Sequence, residues 1–408
     1  MSEMTPEGPT IAEVGVLAGR LLDEVEKAVV GKRGVLELIL LALLSDGHVL
    51  IEDLPGLAKT LIARSFARVM RLDFKRIQFT PDLMPGDVTG AFVFDQRSGE
   101  FVFRAGPIFA NLLLADEINR ATPKTQSALL EAMQERQVTV GERTRPLPRP
   151  FFVLATQNPI ELEGTYPLPE AQLDRFFFKL LVPFPGPTEL AEIARRTTGA
   201  TEAELQVVAG ADDLAQMGAL AREVPVAEAV MEQAVSLLLA THPERPEAPE
   251  EVRRYVRWGA SPRGLQSLVL AGRIRALLEG RYNLAVEDLR AVAAPALRHR
   301  VFLNFEADAA LTYDPNRPRP ETTARRIKVL YQDGHILIVD KPAGLLSQPT
   351  QEREFAGGQH RRPPAAPDPS PTGRRRRPER TRRAVTPSPP GSRPPPGRRR
   401  PRPRRPRS

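Results

Sequence analysis

The chain has 408 residues, a formal net charge of +8 and no cysteine. Its length allows two or three domains with substantial cores, and the absence of cysteine excludes disulfides, thiolate zinc sites and cysteine nucleophiles. No apolar run reaches the ~18 residues of a membrane span, and the polar start MSEMTPEGPT differs from a signal peptide. We therefore expect a soluble, cytoplasmic protein.

The positive charge is concentrated at the C-terminal end of the chain. Residues 361–408 contain 17 Arg, no Lys and only two acids, Asp368 and Glu379, so their net charge is +15 and residues 1–360 carry −7. The same segment holds 15 of the 42 prolines and no aromatic residue. Such a composition cannot bury enough apolar surface to fold. We predict that residues 351–408 form a disordered Arg/Pro-rich tail.

The first 185 residues alternate between helical and short apolar segments. Apolar residues that recur every three or four positions predict helices over Ile11–Val29, Val35–Leu44, Thr60–Met70 and Lys124–Glu135. Apolar runs too short for helices predict buried strands over His48–Ile51, Leu112–Ala115 and Phe152–Ala155. Buried strands that alternate with helices are typical of a parallel sheet with helical crossovers, so we predict an α/β core over residues 1–185.

Three further segments have patterns of their own. Residues 91–103, with phenylalanines on both sides of Gln-Arg-Ser-Gly, are predicted to form a β-hairpin. After a Pro-rich boundary (PFPGP), residues 186–306 show helical spacing and no convincing strand, which predicts an all-helical domain of four or five helices. After a predicted linker over 307–326, residues 327–340 (IKVLYQDGHILIVD) predict strand, turn and strand.

The segment Glu52–Thr60 (EDLPGLAKT) has the context of a phosphate-binding loop, because it follows a predicted strand and opens a predicted helix. Backbone N–H groups would surround the phosphates, Lys59 would reach the β- and γ-phosphates, and the Thr60 hydroxyl would bind Mg²⁺. Asp53 and Ala58 replace both glycines of the generic pattern, so an ordinary strand–turn–helix is the alternative. The candidate nucleotide-binding residues are Asp53, Leu54, Pro55, Gly56, Leu57, Ala58, Lys59 and Thr60.

Two acidic residues, Asp116 and Glu117, end the apolar run that begins at Leu112. Carboxylates at the exit of a buried strand need a cation or polar partners. Asp116 fits a Mg²⁺ ligand, and Glu117 fits the base that activates a water for attack on the γ-phosphate. A helix N-cap after the strand is the alternative for this pair.

Three more polar side chains are candidates for the same reaction. Asn158 follows the third predicted strand and could orient the attacking water. Arg175 could reach the γ-phosphate of a neighbouring subunit as an arginine finger in trans. Arg263 opens a helix of the second domain and could contact the same nucleotide from the lid. For each arginine alone, an ordinary surface position is the alternative.

The order of these motifs resembles the MoxR branch of the AAA+ ATPases over about residues 10–306. The matching segments are Glu52–Thr60, Gln78–Gly90, Phe103–Thr125, Gln126–Val140, Phe152–Asp174, Gly259–Gly264 and Arg298–Glu306. That branch tolerates residues such as Asp53 and Ala58 in its loop. Lys59, Thr60, Asp116, Glu117, Asn158, Arg175 and Arg263 all occupy matching positions.

The resemblance implies an AAA+ P-loop core with a helical lid, ATP and Mg²⁺ as ligands, and a homo-oligomeric ring that is commonly hexameric. It also implies ATP-driven remodelling of partner proteins, often together with a protein that carries a von Willebrand factor A domain. The hairpin over 91–103 is similar to the helix-2 insert, which would face the pore of the ring. We predict an ATPase of this type that binds ATP between the core and the lid.

The segment 327–350 resembles the start of the catalytic domain of RluA-type pseudouridine synthases, which act on RNA. That family's catalytic Asp lies in an H-R-L-D stretch that this sequence lacks, so a competent synthase fused to the ATPase is a weak alternative. An isolated hairpin is another. We interpret the tail as the product of a reading-frame shift or, alternatively, as an Arg-rich arm through which the protein binds nucleic acid or acidic partners.

Overall fold

The computed structural model describes residues 9–52, 56–158, 164–199 and 203–307, and the backbone of 328–332 and 337–340. The chain forms two compact units, residues 1–315 and 316–408. The predicted tail, 351–408, and most of the predicted linker lie outside the described residues. Within the described part, no helix is both long and apolar enough to span a membrane.

A five-stranded parallel sheet is the centre of the first unit. In spatial order its strands are β2 (Phe74–Gln78), β5 (Leu112–Asp116), β8 (Phe152–Gln157), β1 (Val49–Glu52) and β9 (Phe178–Leu181). The three predicted strands are its central members. They are confirmed because their residues are buried on both faces of the sheet, which gives continuous apolar runs.

Alternate residues of the central strands belong to different hydrophobic cores. Val49 and Leu112 pack with the first three helices of the core and with the helical domain, whereas Leu50 and Leu113 pack with the fifth helix of the core. This alternation follows from the two-residue repeat of a strand. The helices of the core are α1 (Ile11–Glu26), α2 (Arg33–Leu44), α3 (Lys59–Val69), α4 (Pro85–Thr89), α5 (Pro123–Glu135) and α6 (Glu170–Leu173).

Two antiparallel hairpins extend from the core. The first consists of β3 (Gly90–Asp95) and β4 (Glu100–Ala105), as predicted, and the second of β6 (Gln137–Val140) and β7 (Arg143–Pro146). In the first hairpin Phe92 faces Phe103 and Phe94 faces Phe101, with ring centroids 5.7 and 5.4 Å apart. Phe94 and Phe101 are exposed, so this hairpin presents apolar surface to solvent.

Over its described residues, the second domain of this unit contains six helices and one short ladder. Its elements are α7 (Pro187–Thr198), α8 (Ala211–Glu223), α9 (Glu228–Leu239), α10 (Glu250–Tyr255), β10 (Val256–Trp258), α11 (Pro262–Leu278), α12 (Val286–Leu297) and β11 (Phe302–Leu303). The prediction of four or five helices without strands was therefore slightly wrong. The α10 helix and the ladder β10–β11 are too short to give a periodic signal.

The helical domain packs directly on the core. Gly15 allows α1 to approach α11, since a Cβ at this position would lie 3.1 Å from the carbonyl oxygen of Leu278. In the second unit, β12 (Lys328–Gln332) pairs with β13 (Leu337–Asp340) in an antiparallel hairpin. The two predicted strands are confirmed, whereas the predicted turn between them lies outside the described residues.

Candidate functional site

A cleft of about 460 Å³ lies at the carboxyl edge of the parallel sheet. It is formed by residues that follow or end β1, β5 and β8, together with the first turn of α3 and two side chains of β2. The lining residues are Gly56, Leu57, Ala58, Lys59, Thr60, Leu61, Arg76, Gln78, Asp116, Glu117, Thr156, Gln157 and Asn158. Ligands of open α/β sheets bind at this edge, at the ends of the strands.

The loop that enters α3 has the backbone geometry of an anion-binding turn. Gly56 has φ +89°, and Ala58, the residue before the helix, has φ +62° and ψ 19°. With the helix beginning at Lys59, the N–H groups of its first turn lack helical acceptors and lie beside the cleft. Asp53, Leu54 and Pro55 lie outside the described residues.

The carboxylate of Asp116 is buried and accepts hydrogen bonds from two neighbouring strands. Thr156 donates its hydroxyl to Oδ1 at 2.6 Å. Arg76 donates to Oδ2 through Nη2 at 2.7 Å and through Nε at 3.2 Å. These bonds compensate for burial of the charge and fix the carboxylate beside the loop.

Glu117 takes the rare left-handed conformation, with φ +56° and ψ 50°. Its N–H donates to Thr156 Oγ1 at 2.8 Å, and its Oε2 accepts from Gln78 Nε2 at 2.7 Å and lies 3.1 Å from Arg120 Nε. A non-glycine residue in this conformation is strained and needs support from its surroundings. This backbone conformation turns the Glu117 side chain out of the strand and into the cleft.

The oxygen ligands in this cleft fit a magnesium ion. The Thr60 hydroxyl and the Asp116 carboxylate are hard oxygen ligands on the same cleft. Among the described residues, no cluster of three or more His, Cys, Asp or Glu could hold a metal without help. This combination suits Mg²⁺, which proteins bind through one or two oxygen ligands together with substrate phosphates.

Asn158 lies on the cleft, whereas Arg175 and Arg263 lie elsewhere. Both arginines line a cavity of about 710 Å³ between the core and the helical domain. This cavity also contains His48 and Phe177, which directly precede β1 and β9, so it lies at the amino edge of the sheet. The four-residue strand β1, about 13 Å long, separates it from the cleft.

Arg263 does not line the cleft, so its predicted contact with a nucleotide is not made within one chain. The prediction that ATP binds between the core and the lid is likewise not met within one chain, because the described residues that line the cleft all belong to the core. The order of motifs in the sequence does not predict the position of Arg263, because the packing of α11 places this residue and no local motif does. Among the described residues, no carboxylate pairs with Arg175.

Asp174 directly precedes Arg175 in the chain and contacts polar side chains of the helical domain, Arg263 among them. Its carboxylate accepts from Arg300 Nε at 2.8 Å and Ser261 Oγ at 2.6 Å, and lies 3.7 Å from Arg263 Nη1. Arg300 also donates to the carbonyl oxygen of Phe176 at 2.7 Å. The helical domain thereby holds the segment that carries Arg175.

Sequence reasoning missed Arg76, Gln78 and Thr156 as residues of the site. Arg76 and Gln78 belong to the edge strand β2 (FKRIQ), whose exposed polar residues hide it from a search for apolar runs. Thr156 lies near the end of β8, in the sequence Ala-Thr-Gln-Asn. Its hydroxyl reaches Asp116 because β8 pairs with β5, which the local sequence does not show. The alternation of apolar Ile77 and Phe79 with polar Arg76 and Gln78 could have marked an edge strand.

Comparisons with known proteins agree with this arrangement. The family described as "ATPase family associated with various cellular activities (AAA)" matches residues 48–178, and the AAA lid domain matches 249–321. The chain is 46% identical to the chaperone MoxR1 of Mycobacterium tuberculosis over 296 residues, which covers 72% of this chain and 78% of that protein.

Two further relatives cover similar parts of the chain. The protein MoxR of Methylorubrum extorquens is 32% identical over 326 residues, with 74% of this chain and 92% of that protein covered. A crystal structure from Cytophaga hutchinsonii, assigned as an ATPase, is 40% identical with a TM-score of 0.70, and the match covers 73% of this chain and 91% of that one.

Proposed function

The chain belongs to the MoxR family of AAA+ ATPases, and on that premise we propose that it hydrolyses ATP in the cleft at the carboxyl edge of its sheet. One observation gives the proposal its main support. Residues that lie far apart in the sequence, Lys59, Thr60, Asp116, Glu117 and Asn158, line a single cleft. The names of the relatives support a chaperone-like ATPase.

Each residue has a role that its position allows. The first turn of α3 and Lys59 would bind the phosphates. Thr60 and Asp116 would hold Mg²⁺, which, when bound, neutralises charge on the phosphates. Glu117 would take the proton of the attacking water, and Asn158 would orient that water. The bond from Gln78 to Glu117 Oε2 would hold the base in place.

We further propose that the active assembly is a ring. The cleft and the cavity with Arg175 and Arg263 lie at opposite edges of one sheet. A contact that joins opposite faces of identical chains is heterologous and generates a ring when the rotation closes. In this arrangement both arginines would reach the nucleotide of the neighbouring chain, which is the role predicted for Arg175.

Partner remodelling is the downstream part of the proposal. The exposed aromatic hairpin β3–β4 offers apolar surface for a client protein. The resemblance names a von Willebrand factor A domain protein as a partner. Co-purification of such a protein with the tagged full chain would support this step, and its absence from purifications that retain other partners would contradict it.

The hairpin β12–β13 supports a proposal about residues 327–350, namely that they derive from the start of an RluA-type synthase. Without the catalytic stretch, this segment would have no synthase activity. Release of tritium from labelled uridine in RNA by the full chain would refute that statement. Tail peptides in mass spectrometry, together with an intact reading frame at the locus, would exclude a frameshift.

Two substitutions test the ATPase assignment. Lys59→Ala should abolish ATP binding because it removes the cation that faces the phosphates. Glu117→Gln should keep ATP binding but lower turnover by at least about 100-fold, because an amide cannot accept the proton. Nucleotide binding and phosphate release measured on both variants distinguish the roles. Turnover at the wild-type rate in both variants would contradict the assignment.

A further inference from the structure

The guanidinium of Arg76 lies on the carboxylate that the proposed function assigns to Mg²⁺. Register in the sheet explains this contact, since Arg76 pairs with Leu114 and its side chain reaches forward to Asp116 at the strand end. The two bonds to Oδ2, at 2.7 and 3.2 Å, come from Nη2 and Nε of the same fork. The Arg76 side chain is 46% exposed, so it is free to move away from the carboxylate.

Both oxygens of Asp116 are engaged in this structure. Oδ1 accepts the Thr156 hydroxyl, which in turn accepts the N–H of Glu117, so this side of the carboxylate is tied into the backbone of the site. Oδ2 accepts only from Arg76 among the described residues. Oδ2 is therefore held by one side chain that can move away, the Arg76 guanidinium.

Arg76 also has a second acceptor nearby. Its Nη2 donates to Gln78 Oε1 at 2.9 Å, and Gln78 donates onward to Glu117. A guanidinium that leaves Asp116 would keep this second partner and the solvent. Its departure would leave the guanidinium with partners, whereas Oδ2 of the buried Asp116 would lack a donor until a cation replaces the arginine.

We propose that Arg76 competes with Mg²⁺ for the Asp116 carboxylate and thereby sets the magnesium concentration at which the cleft binds Mg-ATP. The inference rests on the proposed function of the cleft. Two effects act in the same direction: the fork occupies Oδ2, and its positive charge repels a divalent cation in the same cleft. Arg76 would act as a positioning residue that keeps Asp116 ordered until magnesium and nucleotide arrive together.

The experiment compares binding of the fluorescent nucleotide mant-ATP in EDTA and over a magnesium titration. Arg76→Gln should lower the half-saturating Mg²⁺ concentration about ten-fold. It should also increase, by a similar factor, the ratio of mant-ATP affinity at saturating Mg²⁺ to that in EDTA. Arg76→Lys, which keeps the charge, should stay closer to the wild type.

Arg68→Gln is the matched control, because Arg68 is exposed on α3 and does not line the cleft. It should leave the magnesium titration unchanged. An unchanged titration in Arg76→Gln would overturn the inference. So would a lower mant-ATP affinity of Arg76→Gln at saturating Mg²⁺, which would make Arg76 a phosphate ligand. Failure of the wild type to bind mant-ATP would instead overturn the proposed function itself.

Discussion

Ala58 adopts a left-handed backbone conformation at the start of α3. For an L-residue other than glycine, this region costs about 1–2 kcal/mol, because Cβ approaches a carbonyl oxygen. The generic phosphate loop has glycine here, so the chain keeps the loop geometry at some cost in stability. At Ala58 the departure from the sequence pattern is therefore a strain on the backbone.

Replacing this alanine tests that explanation. Ala58→Gly should raise the free energy of unfolding by about 0.5–1 kcal/mol, because relief of strain exceeds the extra chain entropy that glycine gains in the unfolded state. Chemical denaturation of the full chain measures the difference.

Gly56→Ala provides the control in the same loop. Gly56 has φ +89° and open space around its Cβ direction, so alanine there meets strain without a steric clash. It should lower the free energy of unfolding by about 1 kcal/mol. If Ala58→Gly instead lowers the free energy of unfolding, the left-handed conformation of Ala58 does not destabilise the folded chain.

At the scale of elements, a buried histidine connects the sheet to a helix. His48 Nδ1 accepts the N–H of Val153, and its Nε2 lies 3.1 Å from the carbonyl oxygen of Met133, so the neutral ring joins β1, β8 and α5. Burial lowers the pKa of His48 to about 3, and burial likewise lowers the pKa of His299 to about 3. Both rings stay neutral in the folded state over the ordinary range of pH.

These pKa values predict a loss of stability in mild acid. The unfolded chain takes up protons at histidines below pH 6.5, whereas the folded chain does not until about pH 3, so stability is lost as pH falls between these values. Each histidine should contribute about 1 kcal/mol between pH 7 and pH 5.5. In urea denaturation, His48→Gln should show about half of the wild-type loss. An equal loss in both proteins would contradict the assignment.

Patterns in the sequence predicted the elements with the strongest local signals. The central strands β1, β5 and β8 were predictable because burial on both faces makes them continuously apolar. The edge strand β2 was not, because three of its five residues are exposed and polar. Asp116 and Glu117 were predictable from their place after a buried strand, whereas Thr156 and Arg76 belong to the site only through strand pairing.

At the scale of the molecule, the two edges of the sheet carry complementary groups. The carboxyl edge holds the cleft with Lys59 and Glu117, and the amino edge holds Arg175 in an open cavity lined by residues of the core and the helical domain. Asp174 and Arg300 join that domain to the segment with Arg175. We therefore propose that each complete hydrolysis site needs two chains, with the cleft from one and the arginine from the next.

Mixing two inactive variants tests this requirement most directly. Arg175→Ala and Glu117→Gln should each have little ATPase activity alone. In rings assembled from equal amounts of both, about one quarter of the interfaces combine an intact cleft with an intact arginine. We expect co-expressed, co-purified mixed rings to recover about a quarter of the wild-type ATPase rate. A mixture as inactive as either variant alone would contradict it.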